Sequence, residues 1–376
     1  MTTEYRIPLH RNSHATWIRT FRNLFDRHRA NKCEKNKLTG KSVLIGFISL
    51  ISILVASYVS VSGFAKKAKN RRLGVEEINN SIYGLLTLYR YQDYVIPGFM
   101  LKYVDDSGIE DFQVRSDDIF VVTFPRSGTT LTMEMTYLIA SDLDFQKAKQ
   151  QLLAERVRFL ENPHDVELRT LDQLPSPRVI KTHLPLQLLP KQVRDKSAKV
   201  IYVARNPKDV VVSLYYFTKL MKPMTKFDGP LEQCFEAFVN DEVFYSPWWR
   251  HVREFWEIRE QDNVLFLKYE DIVQNTEDAV RSIASFLGKN FSQEEIEQVA
   301  KHCKFSNMKQ NSSTNYSHAQ KIGFLAGPGF IRKGKVGDWR NHLSQEMCLA
   351  IDQMVEERLQ NSGLEFDYGN GQDSIH

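Results

Sequence analysis

The stretch that most constrains this chain is Asp118–Ala140, DIFVVTFPRSGTTLTMEMTYLIA. Ile119–Phe124 is a short apolar run of β-branched and aromatic residues, the pattern of a buried parallel strand. Pro125–Thr130 (PRSGTT) is a tight turn of small hydroxyl residues with one cation. From Leu131 onward, Leu131, Met135, Leu138 and Ile139 recur at i, i+4, i+7 and i+8, a helical stripe. Strand, glycine-containing turn and helix start together make an anion site. The first-turn N–H groups are free, and the helix dipole adds partial positive charge. Thr129 and Thr130 add hydroxyl donors, and Arg126 adds a fixed charge. The stretch predicts a phosphate-binding loop. It lacks the Gly-Lys of a Walker loop, and no acidic strand end stands out as a magnesium ligand. Kinase or NTPase chemistry is therefore poorly supported.

Upstream, residues 1–41 carry ten Lys/Arg against three acids and read as a loose basic arm. Residues 42–65 form a run of twenty-four residues without a charge. That length spans a bilayer as one helix and exceeds a signal-peptide core, so a single transmembrane helix is expected. Basic residues flank it nearly equally, Arg27 to Lys41 before and Lys66 to Arg72 after, so they do not orient it. Residues 66–111 are expected as a linker whose first part, 66–95, is helical. Residues 112–376 then form one large α/β domain.

Downstream the pattern repeats. Asp142–Pro175 reads as polar helix. Val179–Ile180 ends a strand, and Lys181 and His183 project to one side beyond it if the strand continues. Lys199–Ala204 is a buried strand followed by a charged turn from Arg205 and an apolar helix. Ser246 is expected to cap the helix whose stripe is Trp248, Val252, Phe255 and Trp256. Val264–Lys268 is another strand. Ser292–Glu295 is a capping box. Asn311–Lys335 is a long loop ending near Arg332-Lys333-Gly334, and a last helix starts at Ser344. Strands alternating with helices predict a P-loop-like parallel sheet with helices on both faces, whose ligand lies beyond the C-terminal strand edge.

The formal net charge of +4 is too small to argue for nucleic acid. The four cysteines are widely spaced and predict neither a disulfide framework nor a metal site. The cations fall instead in the turns at one sheet edge. His183 titrates near neutrality and can take a proton from a hydroxyl. Lys181 can stabilise charge on a transferring group. Arg205 and Ser213 straddle a turn and can reach one anion, as can Arg332-Lys333-Gly334. Converging on one edge, these turns predict a ligand with several anionic groups.

From about Phe112 to Asp367 the chain resembles the cytosolic sulfotransferase family. The shared motifs, in order, are the loop at Pro125–Thr130, KTHLP at Lys181–Pro185, ARNPKDVVVS at Ala204–Ser213, YED at Tyr269–Asp271 and RKGxxGDW at Arg332–Trp339. The resemblance implies a donor, 3′-phosphoadenosine 5′-phosphosulfate (PAPS), no metal, and transfer of its sulfuryl group to a hydroxyl or amine. It implies that Arg126, Ser127, Gly128, Thr129 and Thr130 wrap the phosphosulfate. His183 would be the base, with Lys181 and Arg126 stabilising the transferred group. Arg205, Ser213, Arg332, Lys333 and Gly334 would hold the 3′-phosphate. Leu131, Tyr269, Phe305 and Met308 would line the adenine pocket. The chain departs from the family at Arg126, a lysine there, and at Leu131, a tryptophan there. The family's dimer motif is not recognisable in Arg340–Leu349, so no dimer is implied.

The aromatics of Phe217–Asp228 and Asn240–Trp249 predict a small hydrophobic acceptor such as a phenol, steroid or other alcohol. The alternative is a PAPS- or PAP-binding protein with impaired catalysis. The catalytic domain is expected on the cytoplasmic side, because sequons at Asn311 and Asn315 fall in the donor-site loop. A Golgi lumen placement is the alternative.

Overall fold

A computed structural model describes residues 63–79, 82–161, 169–327 and 329–369. The chain divides into two compact units, Met1–Ala68 and Lys69–His376. The expected basic arm and most of the expected membrane segment lie outside the described residues. Among the described residues, no helix is long and apolar enough to cross a membrane.

The second unit opens with a three-stranded antiparallel sheet, β1 (Glu76–Ile78), β2 (Leu88–Tyr91) and β3 (Tyr94–Pro97). This corrects the helix expected through residue 95. Tyr, Val and Ile favour a pleated surface. The β2–β3 turn needs two left-handed residues, and Gln92 (φ 48°) and Asp93 (φ 67°) supply them. The usual glycine is missing from that turn, which hides the hairpin in the sequence.

The main sheet holds β4 (Ile119–Thr123), β5 (Arg158–Phe159), β6 (Val179–Thr182), β7 (Lys199–Ala204) and β8 (Val264–Lys268), all parallel, in the order β5-β6-β4-β7-β8. The expected polar helix at 142–175 is instead the short helices Phe145–Gln150, Leu153–Arg156 and Arg169–Asp172, and includes β5, whose two residues show no period. Alternation along the strands sends side chains into two cores. Phe120, Val122, Ile180, Val200 and Tyr202 enter one, with Tyr89, Val95 and Ile96 of the small sheet. Ile119, Val121, Val179, Ile201 and Val203 enter the other.

Helices cover both faces. On the first lie α2 (Pro207–Leu220), α3 (Trp248–Glu257) and α8 (Gln345–Leu359). On the second lie α1 (Thr129–Ala140), α4 (Tyr269–Gln274), α5 (Thr276–Phe286), α6 (Gln293–His302) and α7 (Phe305–Gln310). The Ser292–Glu295 capping box is present at the start of α6. Ser246 does not cap α3. Its hydroxyl turns back to the Val243 carbonyl at 2.5 Å, and Pro247 stands at the cap position. β4 is central. The chain leaves it for β6 on one side and later returns to its other side as β7. This is the switch point where open α/β sheets bind ligands.

The opposite end of β4 is clamped. Asp118 and Arg178, both with fully buried side chains, pair as a fork: Nε to Oδ1 at 2.7 Å and Nη2 to Oδ2 at 2.5 Å. The Arg115 N–H also donates to Asp118 Oδ2 at 2.8 Å. Removing one partner leaves a buried charge uncompensated. Asp118→Ala is therefore expected to cost about 3–5 kcal/mol of stability, read by urea unfolding of residues 69–376.

Candidate functional site

The site lies beyond the C-terminal ends of β4, β6 and β7. After Thr123 the chain turns through Arg126, held at φ 75°, and Gly128, at φ 105°, before α1 begins at Thr129. A side chain at Gly128 would place its Cβ 2.6 Å from the ring of the buried Tyr269, so only glycine fits. Thr129 Oγ1 shares a hydrogen bond with Thr123 Oγ1 at 2.7 Å. Thr130 reaches the Tyr316 hydroxyl. The Ser127 hydroxyl is buried without a partner.

The Arg126 guanidinium rests 4.6 Å from the Phe217 ring and 4.8 Å from that of Phe330, and its Nε donates to Ser213 Oγ at 3.2 Å. Burial, Arg205 and Arg332 pull its pKa down to about 10, which leaves it charged at neutrality. Arg205 donates to the Arg126 carbonyl at 3.1 Å and to the Lys335 carbonyl at 3.3 Å, and lies 4.3 Å from the Tyr269 ring. Its Nε is buried and unpartnered.

The Arg332 loop is folded by two acids. Arg332 and Lys333 meet the two oxygens of Asp338 at 2.6 and 2.7 Å. The Gly337 and Trp339 N–H groups donate to Asp209 at 2.9 and 3.1 Å. Asp209 thus organises the loop, a role its place after a turn does not reveal. Gly334, at φ 65°, packs so closely on Phe305 that a Cβ would lie 2.1 Å from its ring. Met308 is buried in the second core, and Leu131 packs against that core.

On the β6 side, the His183 Nδ1–H donates to the Thr123 carbonyl at 2.8 Å, which assigns Nε2 as the proton acceptor. Burial, then the charge of Lys181, pushes the imidazole pKa well below its usual value, so the ring is neutral. The Lys181 Nζ sits 4.0 Å from the centre of the Phe159 ring. Its pKa is lowered by burial against an opposing pull from Glu161. Phe159 and Tyr245 flank the imidazole at 5.6 and 5.5 Å between ring centres.

The structure therefore brings Arg126, Thr129, Lys181, His183, Arg205, Ser213, Tyr269 and Arg332 to one edge, while Met308 lies in the second core and Leu131 packs against it. It adds Thr123, which orients His183, together with Glu161, Asp209 and Asp338. Thr123, Asp209 and Asp338 lie inside quoted motifs, whereas Glu161 had no local signal.

A model of the sulfotransferase domain matches residues 116–363. The chain belongs to the sulfotransferase family. Cattle sulfotransferase 1E1 is 38% identical over 263 residues, 69% of this chain and 88% of the relative. Rabbit amine sulfotransferase is 34% identical over 261 residues, 69% and 86% of the two chains. A solved structure of retinol dehydratase with retinol and PAP superposes with a TM-score of 0.70 at 29% identity, covering 78% of this chain and 98% of that one. This sulfotransferase is an enzyme that moves a sulfuryl group from PAPS to a small acceptor. The matches span the parallel sheet and its loops.

Gly128→Ala is expected to weaken binding of 3′-phosphoadenosine 5′-phosphate at least about tenfold, since strain at such a turn is of order 1–3 kcal/mol. Calorimetric titration of residues 69–376 measures it. An unchanged affinity would mean that the turn can be redrawn without loss.

Proposed function

We propose that PAPS lies along this edge with His183 as the base. The observation that carries the reading is the Nδ1 contact with the Thr123 carbonyl, which leaves Nε2 free to accept a proton at the end of β6. The residues fit a doubly anionic nucleotide. Two buried donors, the Ser127 hydroxyl and Arg205 Nε, lack protein partners. Such groups are costly unless a ligand satisfies them. The Ser127–Thr130 turn would take the phosphosulfate. Arg205, Ser213, Arg332, Lys333 and the Gly334 N–H would take the 3′-phosphate. Tyr269, Phe305, Met308 and Leu131 would enclose the adenine.

PAPS supplies an activated sulfuryl group. His183 Nε2 would take the acceptor's hydroxyl proton as the acceptor oxygen bonds to sulfur and the bond between sulfur and the 5′-phosphate oxygen breaks, releasing 3′-phosphoadenosine 5′-phosphate. Lys181 and Arg126 place positive charge where negative charge develops. Arg126 keeps the charge of the family lysine but brings a planar fork, and here the rings of Phe217 and Phe330 orient it. Leu131 leaves Tyr269 and Phe305 as the aromatic walls for adenine.

Phe159, Tyr245, Phe217 and Phe330 give the acceptor side an aromatic lining, which supports a phenol, steroid or other hydrophobic alcohol. The relatives' range, from an amine sulfotransferase to a retinol-binding dehydratase, supports the same breadth. With radiolabelled donor and a panel of phenols and steroids, wild type is expected to transfer label. His183→Ala should lose about 10²–10⁴-fold in kcat with PAP affinity held within about twofold. Equal turnover by the two proteins would remove His183 from the chemistry.

We also propose that residues 42–65 anchor the enzyme in a membrane with its catalytic unit on the cytoplasmic side. The uncharged length supports the span. The loop supports the side: the Asn315 amide donates to the Lys309 carbonyl at 3.0 Å, and the Ser313 hydroxyl of the other sequon is buried against the Ala148 carbonyl at 2.8 Å. The full chain should resist alkaline carbonate extraction from membranes, while residues 69–376 should not pellet. Glycosidase treatment should leave the mobility of the full chain unchanged.

A further inference from the structure

β5 is only two residues long, yet it delivers two side chains to the reacting edge. Its register pairs Phe159 with Lys181, and the Leu160 N–H donates to the Lys181 carbonyl at 2.9 Å. The next residue, Glu161, is fully buried. Its Oε1 accepts the backbone N–H of His183 at 2.6 Å. Its Oε2 is buried with no hydrogen-bond partner. An isolated carboxylate there would be costly, because a buried charge needs a partner. The Thr182 and Tyr245 side chains also approach this carboxylate, and the cation that acts on it, and is acted on by it in return, is the Lys181 ammonium.

Resting on the sulfotransferase reading above, we infer that Glu161 is a positioning residue: it anchors the His183 backbone and provides the counter-charge that keeps Lys181 cationic beneath the transferring sulfuryl group. Without such an acid, Lys181 faces burial and the positive charge of Arg126 with nothing to offset them. Nor can His183 take over the counter-charge, since its ring is neutral. One carboxylate therefore serves two neighbours. It holds the base by the backbone and the electrophilic cation by charge, and it touches neither substrate.

Charged and titratable groups reach this carboxylate from several elements. Lys181, Thr182 and His183 come from β6 and its exit and Tyr245 from the turn before α3, while Arg126, from the loop before α1, acts on Lys181 and His183, and His251, from α3, acts on His183. Burial raises the Glu161 pKa, whereas Lys181, Thr182 and the His183 N–H lower it. Burial lowers that of Lys181, and Glu161 raises it. Activity requires Glu161 ionised and Lys181 protonated. It is thus present above the Glu161 pKa and lost as pH rises through that of Lys181, which gives a bell-shaped kcat/KM.

Glu161→Gln keeps an acceptor for the His183 N–H and removes the charge. In the full chain we expect kcat to fall about tenfold or more at pH 8, with the donor KM changed less than about twofold. The acid limb of kcat/KM should move to lower pH, where protonation of His183 sets it, and the alkaline limb should move to lower pH by about one unit or more. Glu161→Asp should recover part of both. A readout independent of turnover is the ¹³C NMR titration of reductively methylated protein. There the Lys181 signal, assigned by its loss in Lys181→Arg, should titrate at lower pH in Glu161→Gln than in wild type. An unchanged Lys181 titration, or a loss of kcat that merely follows a fall in Tm at every pH, overturns the proposal. If wild type transfers no label to any acceptor, the sulfotransferase reading fails first, and the Lys181 titration still decides whether Glu161 holds its charge.

Discussion

Concentrated positive charge is the constraint on which this structure depends. Arg126, Lys181, Arg205 and Arg332 crowd one half-buried sheet edge, where burial and neighbouring cations both oppose the charged forms of Arg126 and Lys181. The fold tolerates them by surrounding them. Phe159, Phe217, Phe330, Tyr216 and Tyr269 present ring faces, which attract a cation at modest cost. Glu161, Asp209 and Asp338 supply counter-charge from behind. Asp338 is the clearest case. It carries two direct ion pairs at once, and burial alone would raise its pKa, yet the pairs hold it well below the usual carboxylate range. A donor with two anionic ends is the natural complement of such an edge.

The sheet makes the crowding possible. Parallel strands point their C-terminal ends the same way, so every exit loop of β4, β6 and β7 meets at one place. The Asp118–Arg178 clamp closes the other end of β4 with a buried ion pair, and the two ends are chemically opposite. One satisfies its charges internally. The other leaves Ser127 and Arg205 Nε unsatisfied.

What could be read from residues alone followed the range of the interactions. The loop at Pro125–Thr130, the His183 strand end and the Arg332 run are local patterns, each legible because turn, helix start and charge lie within a few residues. The β2–β3 hairpin was not legible, because Gln92 and Asp93 occupy left-handed positions usually marked by glycine or asparagine. β5 was not legible either, since two residues have no period. Thr123, Glu161 and Asp209 act across 60, 22 and 128 residues of chain, on His183, His183 and Gly337 respectively, so no spacing rule reports them.

The sequence by itself determined the fold class, the family and the nucleotide-binding loop that begins at Pro125. These follow from short-range periodicity and from motifs whose residues are neighbours in the chain. Only the tertiary structure decided how Arg126 is aimed, which nitrogen of His183 accepts a proton, and which acids hold the cations in place. Those depend on strands distant in sequence being brought side by side, which sets an ordinary carboxyl such as Glu161 against the His183 N–H and the charge of Lys181. The loop supplies an anion site. The surrounding sheet edge gathers His183, Lys181 and Arg205 beside it.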